Sequence, residues 1–102
     1  MNEQEAGGKG AATLKAYAHG YVQGVGFRVF IRSQAWNLGV RGYVQNRGDG
    51  TIKVVAAGPR QNLEALLKEV WRGPAGAHVT SVDTEWSDDE DRALPPQFEV
   101  RQ

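Results

Sequence analysis

The stretch Gly20-Tyr21-Val22-Gln23-Gly24-Val25-Gly26-Phe27-Arg28 carries the clearest chemistry in this chain. Two glycines two positions apart let main-chain N–H groups turn inward without Cβ clashes. A helix starting just after them adds its unpaired first N–H groups and the positive end of its dipole. The guanidinium of Arg28 supplies a cationic fork matched to phosphate or carboxylate oxygens. Gln23, Gly24, Val25, Gly26, Phe27 and Arg28 thus form a candidate anion cradle, and the anion it implies is a phosphoryl group. By pattern alone, Gly-x-Gly after a strand also suits an ordinary tight turn.

Two familiar cradles are excluded. A P-loop needs Lys followed by Ser or Thr after its last glycine, and no lysine lies between Lys15 and Lys53. A dinucleotide fingerprint needs Gly or Ala three residues after Gly26, where Val29 stands, and an acid about 20 residues on. The first acid after the loop is Asp49, in a turn. The anion is therefore small, or it is held by a loop of another kind.

The elements that must position this loop follow from periodicity. Leu14, Ala16, Ala18 and Val22 alternate with Lys15, Tyr17, His19 and Tyr21, the pattern of a half-buried strand. Phe27, Phe30, Ile31, Ala35 and Leu38 recur at helical spacing, with Gly39 at the C-cap position, so Arg28 falls in the first helical turn. Runs 40–45 and 51–57 flank Asn46-Arg47-Gly48-Asp49-Gly50, a strong hairpin signal. Pro59 opens a second helix whose buried face holds Leu63, Leu66, Leu67 and Val70. Gly73 to Gly76 stops it, and 79–86 reads as a strand with Val82 and Trp86 on one face. Residues 87–96, with Asp88-Asp89-Glu90-Asp91, read as a solvated loop before a short Phe98-x-Val100 strand. Residues 1–12 lack apolar periodicity and are expected to be a disordered tail, leaving 13–102 as a single domain.

The order β-α-β-β-α-β is the split βαβ, ferredoxin-like pattern of an α+β sandwich. It predicts a mostly antiparallel sheet with two helices on one face and a short extra C-terminal strand. In this reading the first strand is central, its C-terminal end beside the hairpin strand that begins at Val40. The loop at 23–28 and Asn46 then meet at one edge of the sheet.

Composition narrows the setting. The chain has 102 residues, 40% hydrophobic and 24% charged, which suits one soluble domain. It contains no apolar run of 18 residues and no basic-then-apolar opening, so neither a membrane span nor a signal peptide is expected. Zero cysteines excludes disulfides, thiolate metal sites and cysteine nucleophiles, and a cytoplasmic location is expected. Formal net charge is zero, yet residues 14–60 hold seven basic residues against Asp49 alone, a net +6. The half with the cradle carries the positive field, which would concentrate an anionic ligand. An uneven scatter of solvated charges gives the same split.

Gly20-x-Val22-Gln23-Gly24-Val25-Gly26-Phe27-Arg28 resembles the first signature of the acylphosphatases, and Gly42-Tyr43-Val44-Gln45-Asn46-x-x-Asp49-Gly50, with Ile52, Val54 and Gly58, resembles the second. Gly73-Pro74-x-Gly76-Ala77-x-Val79 is also similar, so the resemblance spans roughly residues 14–101. It implies hydrolysis of the carboxyl–phosphate bond of small acyl phosphates to carboxylate and inorganic phosphate, with no cofactor and no metal. It further implies that the 23–28 loop binds phosphate through main-chain N–H groups and the Arg28 guanidinium, while Asn46 orients the attacking water. Tyr21 stands where the family commonly has a basic residue, which weakens substrate attraction and leaves both catalytic positions intact. The acidic insert 87–91 bears on stability.

The chemistry is self-consistent. No nucleophile or general acid stands near the loop, and an acyl phosphate needs neither. Its leaving carboxylate has a conjugate-acid pKa of roughly 4, so expulsion requires no proton donor, and a loose phosphoryl transition state needs little nucleophilic push. Positioning of water and stabilisation of phosphoryl charge remain.

Other residues invite structural roles. His19 and His78 lie in different strands with no carboxylate at ligand spacing. Trp36, Trp71 and Trp86 suit core or boundary positions, and Asp49 suits a turn. RNA binding is the competing function, since Arg41-Gly42-Tyr43-Val44 echoes the start of an RNA-recognition signature. Its paired aromatics are missing and the charge is neutral, so no nucleic-acid partner is expected, and the chain reads as a monomer.

Overall fold

A computed structural model describes residues 10–102, so residues 1–9 of the expected tail lie outside the described residues. The elements are β1 (Ala11–Tyr21), α1 (Phe27–Leu38), β2 (Arg41–Asn46), β3 (Ile52–Pro59), α2 (Arg60–Arg72), β4 (His78–Ser87) and β5 (Glu99–Arg101). They build one sheet in the order β4-β1-β3-β2-β5. All pairings are antiparallel except β2 with β5.

Both helices lie over one face of this sheet. The alternation in β1 turns Leu14, Ala16 and Ala18 into a core shared with Phe27, Ile31 and Ala35 of α1 and Leu63, Leu66 and Val70 of α2. Each of these side chains is at most 1% exposed. Burying a large aliphatic or aromatic side chain contributes about 1.5–3 kcal/mol, so this cluster supplies the main driving force. Gly39 ends α1 in a left-handed conformation, φ 69°, and its N–H returns to the last turn. That turn releases the chain into β2.

Three expectations need correction. The ladder starts earlier than residue 13: Ala11 pairs with Pro59 and Ala12 with Gly58, and Ala12 is 2% exposed. Alanines carry too little pattern to announce a strand, and main-chain pairing with β3 orders them. Second, β1 does not lie beside β2. The hairpin strand paired to β1 is β3, which stands in the middle of the sheet with β2 on its other side. Two successive antiparallel pairings leave β1 and β2 parallel, with both C-terminal ends at the same edge. That is how the cradle loop and Asn46 still come together.

Third, the acidic segment is not simply solvated. Residues 88–97 fold back over the helix-free face, where Leu94 packs on Val55, Ala57 and Tyr43. Thr13 Oγ1 donates to the Asp89 carbonyl at 2.7 Å and accepts from Asp91 N–H at 2.8 Å. Arg41 donates to Glu90 Oε2 at 2.7 Å and to the Leu94 carbonyl at 3.0 Å. The apolar patch at this end of the second face needs a cover, and local composition does not reveal which segment provides it. Thr13→Val keeps the shape but removes both hydroxyl bonds. It should lower stability to urea by about 1–2 kcal/mol, the usual cost of stranding such partners, while acyl phosphate turnover stays near wild type.

Candidate active site

The cradle grows out of the end of β1. After Val22, buried at 1% exposure, Gly24 and Gly26 both adopt φ 78°, the left-handed region that glycine occupies without Cβ strain. Gly26 is the N-cap of α1, with no side-chain cap bond and no acid in the first turn. The first-turn N–H groups of α1 are therefore left for a ligand. Phe27 pins the turn to the core at 1% exposure.

Gly24, Gly26, Phe27 and Arg28 line a cavity of about 130 Å³, joined by Val22, Val29, Asn46 and Val100. The space suits one phosphoryl group with a water, whose share of liquid volume is about 30 Å³. Asn46, the last residue of β2, is partly buried, and its Oδ1 is buried without any hydrogen-bond partner. Of the expected loop residues, Gln23 and Val25 do not line the cavity. Val25 packs against the core.

Gln23 does something the sequence did not suggest. Its Nε2 donates to the carbonyls of Arg47 at 2.8 Å and Thr51 at 2.9 Å, strapping the cradle loop to the turn that follows Asn46. Arg28 is likewise held: its Nη1 donates to the Arg101 carbonyl at 2.7 Å. This fixes one corner of the guanidinium and leaves its remaining N–H groups for a ligand. Arg101 and Val100 were missed because only a short strand is legible there, and its parallel pairing with β2 is not a local property.

The turn itself is set by Asp49, as expected. Its Oδ1 accepts from Thr51 Oγ1 at 2.6 Å and from Thr51 N–H at 3.0 Å. The Thr51 hydroxyl, then the Thr51 N–H, hold the Asp49 carboxyl below its ordinary pKa, with Arg47 adding a smaller pull. Elsewhere, His19 Nε2 lies 3.0 Å from Asp83 Oδ2 in an exposed pair. Among the described residues no group of three or more His, Cys, Asp or Glu could hold a metal ion. Trp36 and Trp71 are about half exposed and Trp86 is partly buried, all boundary positions. Tyr21 is exposed at the end of β1.

A split βαβ sandwich with a glycine-hinged loop and a small cavity at one sheet edge defines the class: a small α+β protein of ferredoxin-like fold. The family model described as acylphosphatase matches residues 14–100. An acylphosphatase of Cupriavidus pinatubonensis is 54% identical over 68 residues, covering 67% of this chain and 76% of that protein. The crystal structure of acylphosphatase from Bacillus subtilis superposes with a TM-score of 0.84 at 28% identity, covering 89% of this chain and 99% of that one. An acylphosphatase structure from Coxiella burnetii gives 0.81 at 34% identity, covering 91% and 95%. The chain belongs to the acylphosphatase family, and it is a hydrolase acting on acyl phosphates.

The Asp49 turn yields a pH test. A carboxyl whose folded-state pKa is depressed adds stability above its unfolded value of roughly 3.9, and loses it as pH falls through the folded value. Asp49→Ala should be less stable than wild type near neutrality. Urea midpoints taken at successive pH values should show that gap closing below about pH 4.

Proposed function

We propose that Arg28 and the main-chain N–H groups from Gly24 to Arg28 hold the phosphoryl group of a small acyl phosphate, and that Asn46 positions the attacking water. The observation that carries this is the buried, unpartnered Oδ1 of Asn46 in the same cavity as Arg28. A buried acceptor without a donor is costly, and water at that point satisfies it. The carboxamide oxygen accepts a hydrogen bond from the water, and its NH₂ donates one to a phosphoryl oxygen. An amide is too weakly basic to remove a proton, so its part is orientation.

The remaining roles follow from charge. As the water approaches phosphorus in line, the P–O bond to the carboxylate lengthens and negative charge collects on the phosphoryl oxygens. The guanidinium, already held by the Arg101 carbonyl, and the loop N–H groups would meet that charge with little reorganisation during reaction. The leaving carboxylate departs as a stable anion, and the water's proton passes to the phosphate product or to solvent. Gln23 keeps the loop in register with the Asn46 turn, and the Arg101 carbonyl keeps the guanidinium in the cavity wall. All these groups belong to one chain, which fits a monomeric cytoplasmic enzyme.

The test is benzoyl phosphate hydrolysis in chelator, beside a phosphate monoester control that should not turn over. Arg28→Ala should cut kcat/KM by about 10²–10³ or more. Arg28→Lys should fail similarly, because a point charge cannot replace a planar fork. Asn46→Ala should lower kcat while inhibition by inorganic phosphate changes little. Retention of wild-type kcat by Asn46→Ala would exclude the water-positioning role.

A further inference from the structure

Beside the cradle runs a larger groove of about 560 Å³, between α1 and the segment 95–100. Val100 lines both spaces, so they share a wall. Arg28, Arg32 and Trp36 recur every four residues and so lie on one face of α1, each step about 6 Å along the axis. The two ends of this row are bonded across the groove. Arg28 donates to the Arg101 carbonyl, and Trp36 Nε1 donates to the Phe98 carbonyl at 2.8 Å.

Arg32, between them, is different. Its guanidinium carbon sits 4.8 Å from the Trp36 ring centroid, and its Nε is buried with no acceptor. Among the described residues no carboxylate lies within salt-bridge distance of it. Glu99, the acid in the groove wall, is taken by Arg101 Nε at 2.7 Å. A buried N–H without an acceptor costs free energy, and a ligand oxygen beside it relieves that cost.

We propose that this groove receives the acyl part of the substrate and that Arg32 binds a carboxylate at its far end. The preferred substrates are then acyl phosphates of short dicarboxylic acids. This rests on the phosphoryl group sitting at Arg28. One helical turn, about 6 Å along the axis, separates the two arginines, the reach of a short methylene chain, and Pro95 and Pro96 offer apolar walls to those methylenes. The stacked guanidinium presents its edge for two parallel N–H bonds to a carboxylate.

Stable phosphonates test this as competitive inhibitors of benzoyl phosphate hydrolysis. For the wild-type enzyme, 5-phosphonopentanoate should bind about tenfold more tightly than pentylphosphonate, the scale of one charge-assisted pair. In Arg32→Gln that advantage should shrink to within about twofold, and Arg32→Lys should restore part of it. Equal inhibition by the two compounds in the wild type overturns the proposal, and so does an advantage that survives in Arg32→Gln. The wild-type comparison stands even where a variant fails to fold. If neither phosphonate competes, the phosphoryl assignment at Arg28 falls and takes this proposal with it. If both compete equally, that assignment survives alone.

Discussion

An arginine side chain has four rotatable bonds to freeze, and a single contact to a main-chain carbonyl freezes most of them here. The Arg28 to Arg101 bond ties the first turn of α1 to the last strand of the sheet. It exists because β5 runs parallel to β2 and brings Arg101 level with Gln45, next to Asn46. Freezing such a side chain costs about 2 kcal/mol of rotamer entropy, and folding meets that cost before any ligand arrives. The Gln23 strap works the same way on the other side of the cavity. Between them, three segments distant in sequence are locked into one wall.

This pre-setting matters because the reaction asks little else of the protein. A stable carboxylate leaves, so acid catalysis has little to contribute. Fixed donors around a small cavity are then the main lever on rate. The two left-handed glycines make this possible by turning N–H groups inward in a space where any added Cβ would carry backbone strain. A second, roomier space along α1 shares the Val100 wall with the first.

Local pattern was enough to read much of this. Period-two alternation in β1, the helical spacing from Phe27 to Leu38, and the Asp-Gly turn gave element types that the structure bears out. The meeting of Arg28 with Asn46 followed from topology, even though β3 and not β2 is the strand beside β1. What escaped depended on long-range pairing. Arg28 and Arg101 are 73 positions apart, and no periodicity links them. The side-chain bonds of Gln23 look, from sequence, like a polar loop residue facing water. Residues 88–97 read as solvated because acids dominate the run, while Leu94 and the bonds to Thr13 and Arg41 decide where it lies.

That folded-back acidic segment has an electrical consequence. Thr13, which holds it, sits near the start of β1, while the glycine loop follows the end of the same strand, about 26 Å away at strand rise. Arg41 and Arg60 reach into that segment, in ion pairs with Glu90 and Asp88, so much of its acidity is balanced where it stands. At physiological salt the remainder is screened within about 10 Å, so a ligand arriving at the glycine loop meets little of it.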